Sequence, residues 1–223
     1  MDVMPYSSRM ALYHRATLTP TKGELIAAWV PTKPWGPSGD EPIEVIGSYR
    51  FDDPEGRVGM ETHLVTAGDV LLQVPLTYRD APLRDADDAF IAEMEHSALG
   101  TRWVYDGLRD PIFVVMLAAV AMTGQGEALG LVMYDGRWHI APSNVRVEGG
   151  GWGLDRVPVD GFELDEPDAV APVLRSDRFE LTVYRHPVPR PRPPIGLTAT
   201  WDRQPDPVLL AEVRERQPVS PLR

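Results

Sequence analysis

The chain has 223 residues, 43% of them hydrophobic, enough to bury a sizeable core in one large domain or two small ones. A formal charge of −11 argues against a nucleic acid backbone as partner, because phosphate recognition needs clustered lysine and arginine. Cysteine is absent, which excludes disulfides, thiolate catalysis and cysteine-ligated zinc, and the composition fits a reducing cytoplasm.

The opening "MDVMPYSSRMALYHR" lacks the basic-then-apolar order of a signal peptide, and residues 1–12 read as a loose arm. Thr21 and Glu24 form a capping-box pattern after Pro20 and ahead of Leu25, Ile26, Ala28 and Trp29, which predicts a short helix ending before Pro31. From Glu41 to Arg79 the runs "IEVIGSYRF", "VGMETHLVT" and "DVLLQVPLTY" alternate, predicting an antiparallel meander with one face covered by helices. "DADDAFIAEMEHSALG" reads as a helix with early acids and Gly100 as its stop.

A second helix is predicted from Asp110 as cap through Pro111 at its first position to Gly124. It is apolar on every side and should lie inside the molecule, though its run from Pro111 to Met122 is well short of the roughly 20 residues that cross a bilayer. Beyond it, Asp135-Gly136 inside "LVMYDGRWHIA" predicts a tight hairpin, and "NVRVE", "RVPVDGFEL", "RFELTVYR", "IGLTATW" and "PVLLAEV" read as further strands. "PVPRPRPP" reads as an extended connector. The fold class is therefore α+β, with mostly antiparallel curved sheet and few helices.

The five histidines are scattered, and no helical His-x-x-x-His pair signals a metal. On the predicted helix Glu93 and His96 would share one face, as an acid/base pair or as an ordinary solvated face. "EGGGWGLD" has the glycines of a phosphate loop without its lysine or following helix, and reads as a flexible turn. No serine sits in a G-x-S-x-G elbow. Trp29, Trp35, Trp103 and Tyr105 could stack on a sugar ring or anchor a core.

Three stretches are familiar together: "HRATLTPTKGELIAAWVPTKPW", the long run from "GDVLLQVPLTY" to "RWVYDGLRDPIFV", and "LTATWDRQPDPVLLAEV". They resemble maltokinase N-terminal cap-like proteins of actinobacteria. Trp29, Pro31 and Trp35 resemble the W-L-P-x-x-W segment of the maltokinase cap, with Val30 in place of leucine and three residues rather than two between Pro31 and Trp35. Gln73 to Tyr78, Glu95 to Gly100 and Arg102 to Asp106 match its Q-V-P-L-T-Y, E-H-S-x-L-G and R-W-V-Y-D segments.

The resemblance implies a cap-like half over residues 1–100 and a β-rich half over residues 101–223, equivalent to the cap and intermediate subdomain of maltokinase and packed tightly together. It implies a kinase-related chain without the lobe that carries base and metal ligands. Where the kinases carry an ATP-binding lysine in a K-x-F-R strand, "LTVYRH" has Thr182, and no lysine follows Lys33.

The expected function is a non-catalytic accessory or binding protein of α-glucan, maltose or trehalose metabolism, cytoplasmic and without cofactor or metal. Its partners would be a sugar or glucan and an enzyme of that metabolism, with no nucleic acid and no membrane. Ligand or partner contact is placed at Glu93, His96, Arg102, Trp103, Tyr105 and Asp106, with Arg102 and Asp106 as ion-pair partners. The alternative is a small enzyme acting on a sugar or sugar phosphate through Glu93, His96 and Asp106.

Overall fold

The computed structural model describes residues 11–12, 16–141, 143–151 and 157–216. The loose arm expected at residues 1–12 falls mostly outside them. In chain order the elements are β1 (Ala11–Leu12), β2 (Leu18–Thr19), α1 (Lys22–Trp29), β3 (Ile43–Asp52), β4 (Gly59–Ala67), β5 (Val70–Arg79), β6 (Phe90–His96), β7 (Gly100–Asp106) and α2 (Pro111–Thr123). There follow β8 (Gly130–Tyr134), β9 (Arg137–Ile140), β10 (Val145–Gly149), β11 (Glu163–Asp165), β12 (Val173–Arg175), β13 (Phe179–Pro189), β14 (Gly196–Trp201) and β15 (Gln204–Glu215).

Two six-stranded antiparallel sheets, ordered β2-β6-β7-β5-β4-β3 and β10-β14-β15-β13-β12-β11, make an α+β fold. A small third sheet, β1-β8-β9, contains the parallel pair β1–β8. The first sheet runs through Asp106, past the half boundary expected at residue 100.

Each face of the first sheet has a different cover. On one side Leu25, Ile26, Val30 and Trp35 pack on Val65, Leu72, Val74, Leu76, Met94 and Val104. On the other, Tyr49, Phe51, Met60 and Leu64 join α2 and the inner side chains of the second sheet. Helices therefore cover only part of the meander, and β4 and β5 are buried along nearly their whole length. Gln73 ties the sheets: it accepts from Tyr49 Oη at 3.1 Å and donates to the Tyr184 and Leu210 carbonyls.

The capping box forms as expected, with Thr21 Oγ1 accepting from Glu24 N–H and the Glu24 carboxylate accepting from Thr21 N–H. Thr21→Ala is expected to cost about 1 kcal/mol, measured by urea unfolding, because the first turn of α1 then loses a backbone partner. At α2 the Asp110 side chain accepts from Ile112 N–H, Pro111 sits at the first turn, and Gly124 closes the helix at φ +68°. Phe113, Leu117, Ala118 and Ala121 are buried, while Val115 and Met116 are half-buried, so burial is not uniform around the helix. Among the described residues no helix is long and apolar enough to cross a membrane.

The glycine run is a packed junction. The Gly149, Gly150 and Gly151 N–H groups donate to the Gln125, Gly196 and Ala121 carbonyls. A Cβ at Gly149 would lie 2.1 Å from the Val120 carbonyl oxygen, so the residue is glycine because the end of α2 passes against it. The flexible turn expected here is corrected as far as Gly151; residues 152–156 lie outside the described residues.

Candidate functional site

The helix expected between Asp85 and Gly100 is absent. A 3₁₀ turn at Asp87–Ala89 leads into β6, and Gly100 at φ +73° opens β7. On a strand, residues three apart point to opposite faces, so Glu93 and His96 do not meet as a pair. His96 instead builds the hairpin turn, its Nδ1 accepting from the Ala98 and Leu99 N–H groups. Arg102 Nη2 donates to the Leu99 carbonyl, Thr101 donates to Glu95, and Ser97 Oγ accepts from Thr17 N–H. The E-H-S-A-L-G segment is thus a turn held by its own side chains.

Asp106 does not pair with Arg102. Its carboxylate accepts from Arg185 Nη2 at 2.5 Å and from Leu108 N–H at 3.2 Å. Arg185 is fully buried, with its guanidinium 4.6 Å from the ring centroid of Trp35, and its Nε and Nη1 have no hydrogen-bond partner. His186 Nε2 lies 2.6 Å from the Trp35 carbonyl oxygen. Close by in sequence, Arg79 grips Asp110 with two bonds of 2.7 and 2.8 Å. Asp106 and Trp35 accordingly lock the first sheet to β13.

Of the aromatic residues singled out, Trp35 and Tyr105 are core anchors, with the Tyr105 ring edge-on to Phe90 and its hydroxyl accepting from Leu83 N–H. Trp29 meets Trp35 edge-to-face and carries Lys33 over its ring. Trp103 is half-buried on the face away from α1, directly opposite Arg79 on β5 and Glu93 on β6. Glu93 and Glu95 are exposed on that same face. The structure therefore brings Glu93, Trp103 and Tyr105 onto one side, turns His96 and Arg102 to the other, and buries Asp106.

Sequence reasoning missed a second constellation. Glu61 and His63, two apart on β4, share the face under α1, where Lys22 bonds Glu61 and lies 5.4 Å above the Tyr78 ring. His63 Nε2 lies 3.3 Å from Tyr78 Oη and 4.0 Å from Glu61, and its Nδ1 is buried without a partner. Burial pushes the His63 imidazole down to about 4, against the pull of Glu61 and with the push of Lys22. For Glu61 burial works upward, but His63, then Lys22 and Arg50, hold it below the usual carboxylate range. The residue pair E-x-H on an alternating strand was the available signal.

On β13, Thr182 stands opposite Val173 and Glu212. Tyr184 beside it donates to Glu212 at 3.3 Å and carries Arg190 over its ring.

The first sheet is thus covered on one side by α1 and on the other by α2 and the second sheet, with Trp103 left half-exposed near its β6 edge. Residues 29–110 match the family model of the maltokinase N-terminal cap domain. No curated protein matches. The matched span contains Trp29, Trp35, Trp103 and Asp106, and so carries the cap side of the junction with β13.

Proposed function

We propose that the protein is a non-catalytic binding or accessory protein of α-glucan, maltose or trehalose metabolism, with the Trp103 face as its contact for sugar or partner. The observation that carries this reading is the state of β13. By the resemblance, Thr182 falls where the kinases would carry a phosphate-binding lysine, and the nearby Arg185 is buried against Asp106 and Trp35. Phosphoryl transfer is mostly positioning and charge neutralisation, so a strand without a free cation there supplies neither. The alternative, a small sugar-directed enzyme, has less support. Glu93 and His96 point to opposite faces, and Asp106 is held in an internal ion pair.

A half-exposed indole beside two carboxylates suits the apolar face and hydroxyl rim of a glucose unit. Titration calorimetry of the whole chain with ATP and magnesium is expected to show no binding, and purified protein is expected not to phosphorylate maltose. Maltoheptaose is expected to perturb tryptophan fluorescence in the natural chain and not in Trp103→Ala. Micromolar ATP affinity or measurable turnover would sink the non-catalytic reading. An undiminished sugar response in Trp103→Ala would remove the assigned face.

A further inference from the structure

We propose that two copies of this chain pair edge to edge through β9. Strand alternation places Leu131, Met133, Trp138 and Ile140 on one face of the β8–β9 hairpin, with Met133 directly opposite Trp138 and Leu131 opposite Ile140. Met133, Trp138 and Ile140 are 49%, 52% and 70% exposed, and Leu129, just ahead of β8, is 59% exposed. Met133, Trp138 and Ile140 thus leave one face of the hairpin apolar and exposed.

The edge itself is open. β9 ends its sheet, and among the described residues it is paired only to β8. Asp135 and Gly136 form the two-residue turn, at φ +47° and +71°, so Tyr134–Arg137 is the first bonded pair and Val132–His139 the next. Trp138 and Ile140 therefore aim their N–H and C=O groups outward. β9 is short and carries one charge, Arg137 beside the turn, but Trp138 to Ile140 has neither lysine, proline nor bulge to blunt the edge.

A second copy fits this edge in one favoured register. Antiparallel strands related by a two-fold axis at His139 set Trp138 against Ile140 of the second copy twice over, on the apolar face and in the bonded positions. Centring on Trp138 instead would set Ile140 against the turn and halve the ladder bonds. Charge agrees: from Leu129 to Ala141 the only acid and base are Asp135 and Arg137, so this segment is neutral in a chain of −11. Two acidic molecules repel least there. This pairing brings together only the β9 side chains of the two copies, a small contact that suits a weak, concentration-dependent dimer.

Because the natural chain has no cysteine, His139→Cys places one thiol on the proposed axis, directly opposite its own mate and within disulfide reach. Mild oxidation is expected to cross-link this variant and not Val132→Cys, on the inner strand. Sedimentation equilibrium from micromolar to millimolar chain is expected to show a monomer–dimer equilibrium. Ile140→Asp should weaken it roughly 30-fold with melting unchanged. A chain that stays monomeric throughout, including one covered instead by its own ends or by another protein, overturns the proposal. So does a dimer that Ile140→Asp leaves intact or that His139→Cys does not cross-link.

Discussion

Asp106→Ala is expected to destabilise the protein by about 3–5 kcal/mol, the range for removing one partner of a buried ion pair. Arg185 would then sit fully buried with only the Trp35 ring beside it, since its Nε and Nη1 have no partner even now. A guanidinium cannot escape by losing its proton. Arg185→Met should cost less, because the Asp106 carboxylate keeps the Leu108 N–H. The double change Asp106→Leu with Arg185→Met should recover much of the loss, as apolar replacement of a buried pair commonly does. Removing Asp88, the exposed partner of Arg109, offers a reference at no more than about 1 kcal/mol. Urea unfolding of all four variants makes the comparison. If Asp106→Ala matched the Asp88 variant, the pair would not be what holds the first sheet to β13.

The same pair shows where sequence reading ends. Local signals were legible: the Thr21–Glu24 cap, the Asp110–Pro111 helix start, the Asp135–Gly136 turn and the alternation of β3 to β5 are all written within a few residues. The partner of Asp106 is 79 residues away, and nothing local distinguishes Arg185 from the other arginines. Arg102, four residues from Asp106, was the nearer choice, and it is used by the turn instead.

The misread helix has a different cause. Alanine, glutamate and methionine in "DADDAFIAEMEHSALG" are good helix formers, and the early aspartates imitate a cap. Yet Ala92 and Met94 turn inward while Glu93 and Glu95 turn out, a period of two that the strand environment favours. Neighbours β7 and β2 supply the ladders on both sides, and tertiary pairing overrides a weak local preference. With the helix gone, the apparent pairing of Glu93 and His96 goes too. Trp103 kept its interest because a residue opposite it on each neighbouring strand, Arg79 and Glu93, gives it a polar frame that helical geometry would not have predicted.

Acid is expected to weaken the fold through His63. The imidazole is 3% exposed and its folded-state value is pushed down from 6.5 to about 4. Below pH 6.5 the unfolded chain takes up a proton that the folded chain refuses, so stability falls as pH drops from 6.5 and levels off near 4. A displacement of that size corresponds to about 3 kcal/mol, a large share of a domain's stability. The groups facing the ring are Glu61, Lys22 and Tyr78, with Arg50 acting on Glu61 from β3. Protonation would favour the Glu61 contact, but Lys22 already holds that carboxylate and repels a second cation. His63→Phe keeps a ring under α1 and removes the titration. Urea unfolding at pH 7, 5.5 and 4.5 should show the natural chain losing stability steadily while His63→Phe stays nearly level until carboxylates such as Glu61 protonate. Parallel pH profiles for the two proteins would mean that the acid sensitivity arises elsewhere and that His63 accepts its proton without cost.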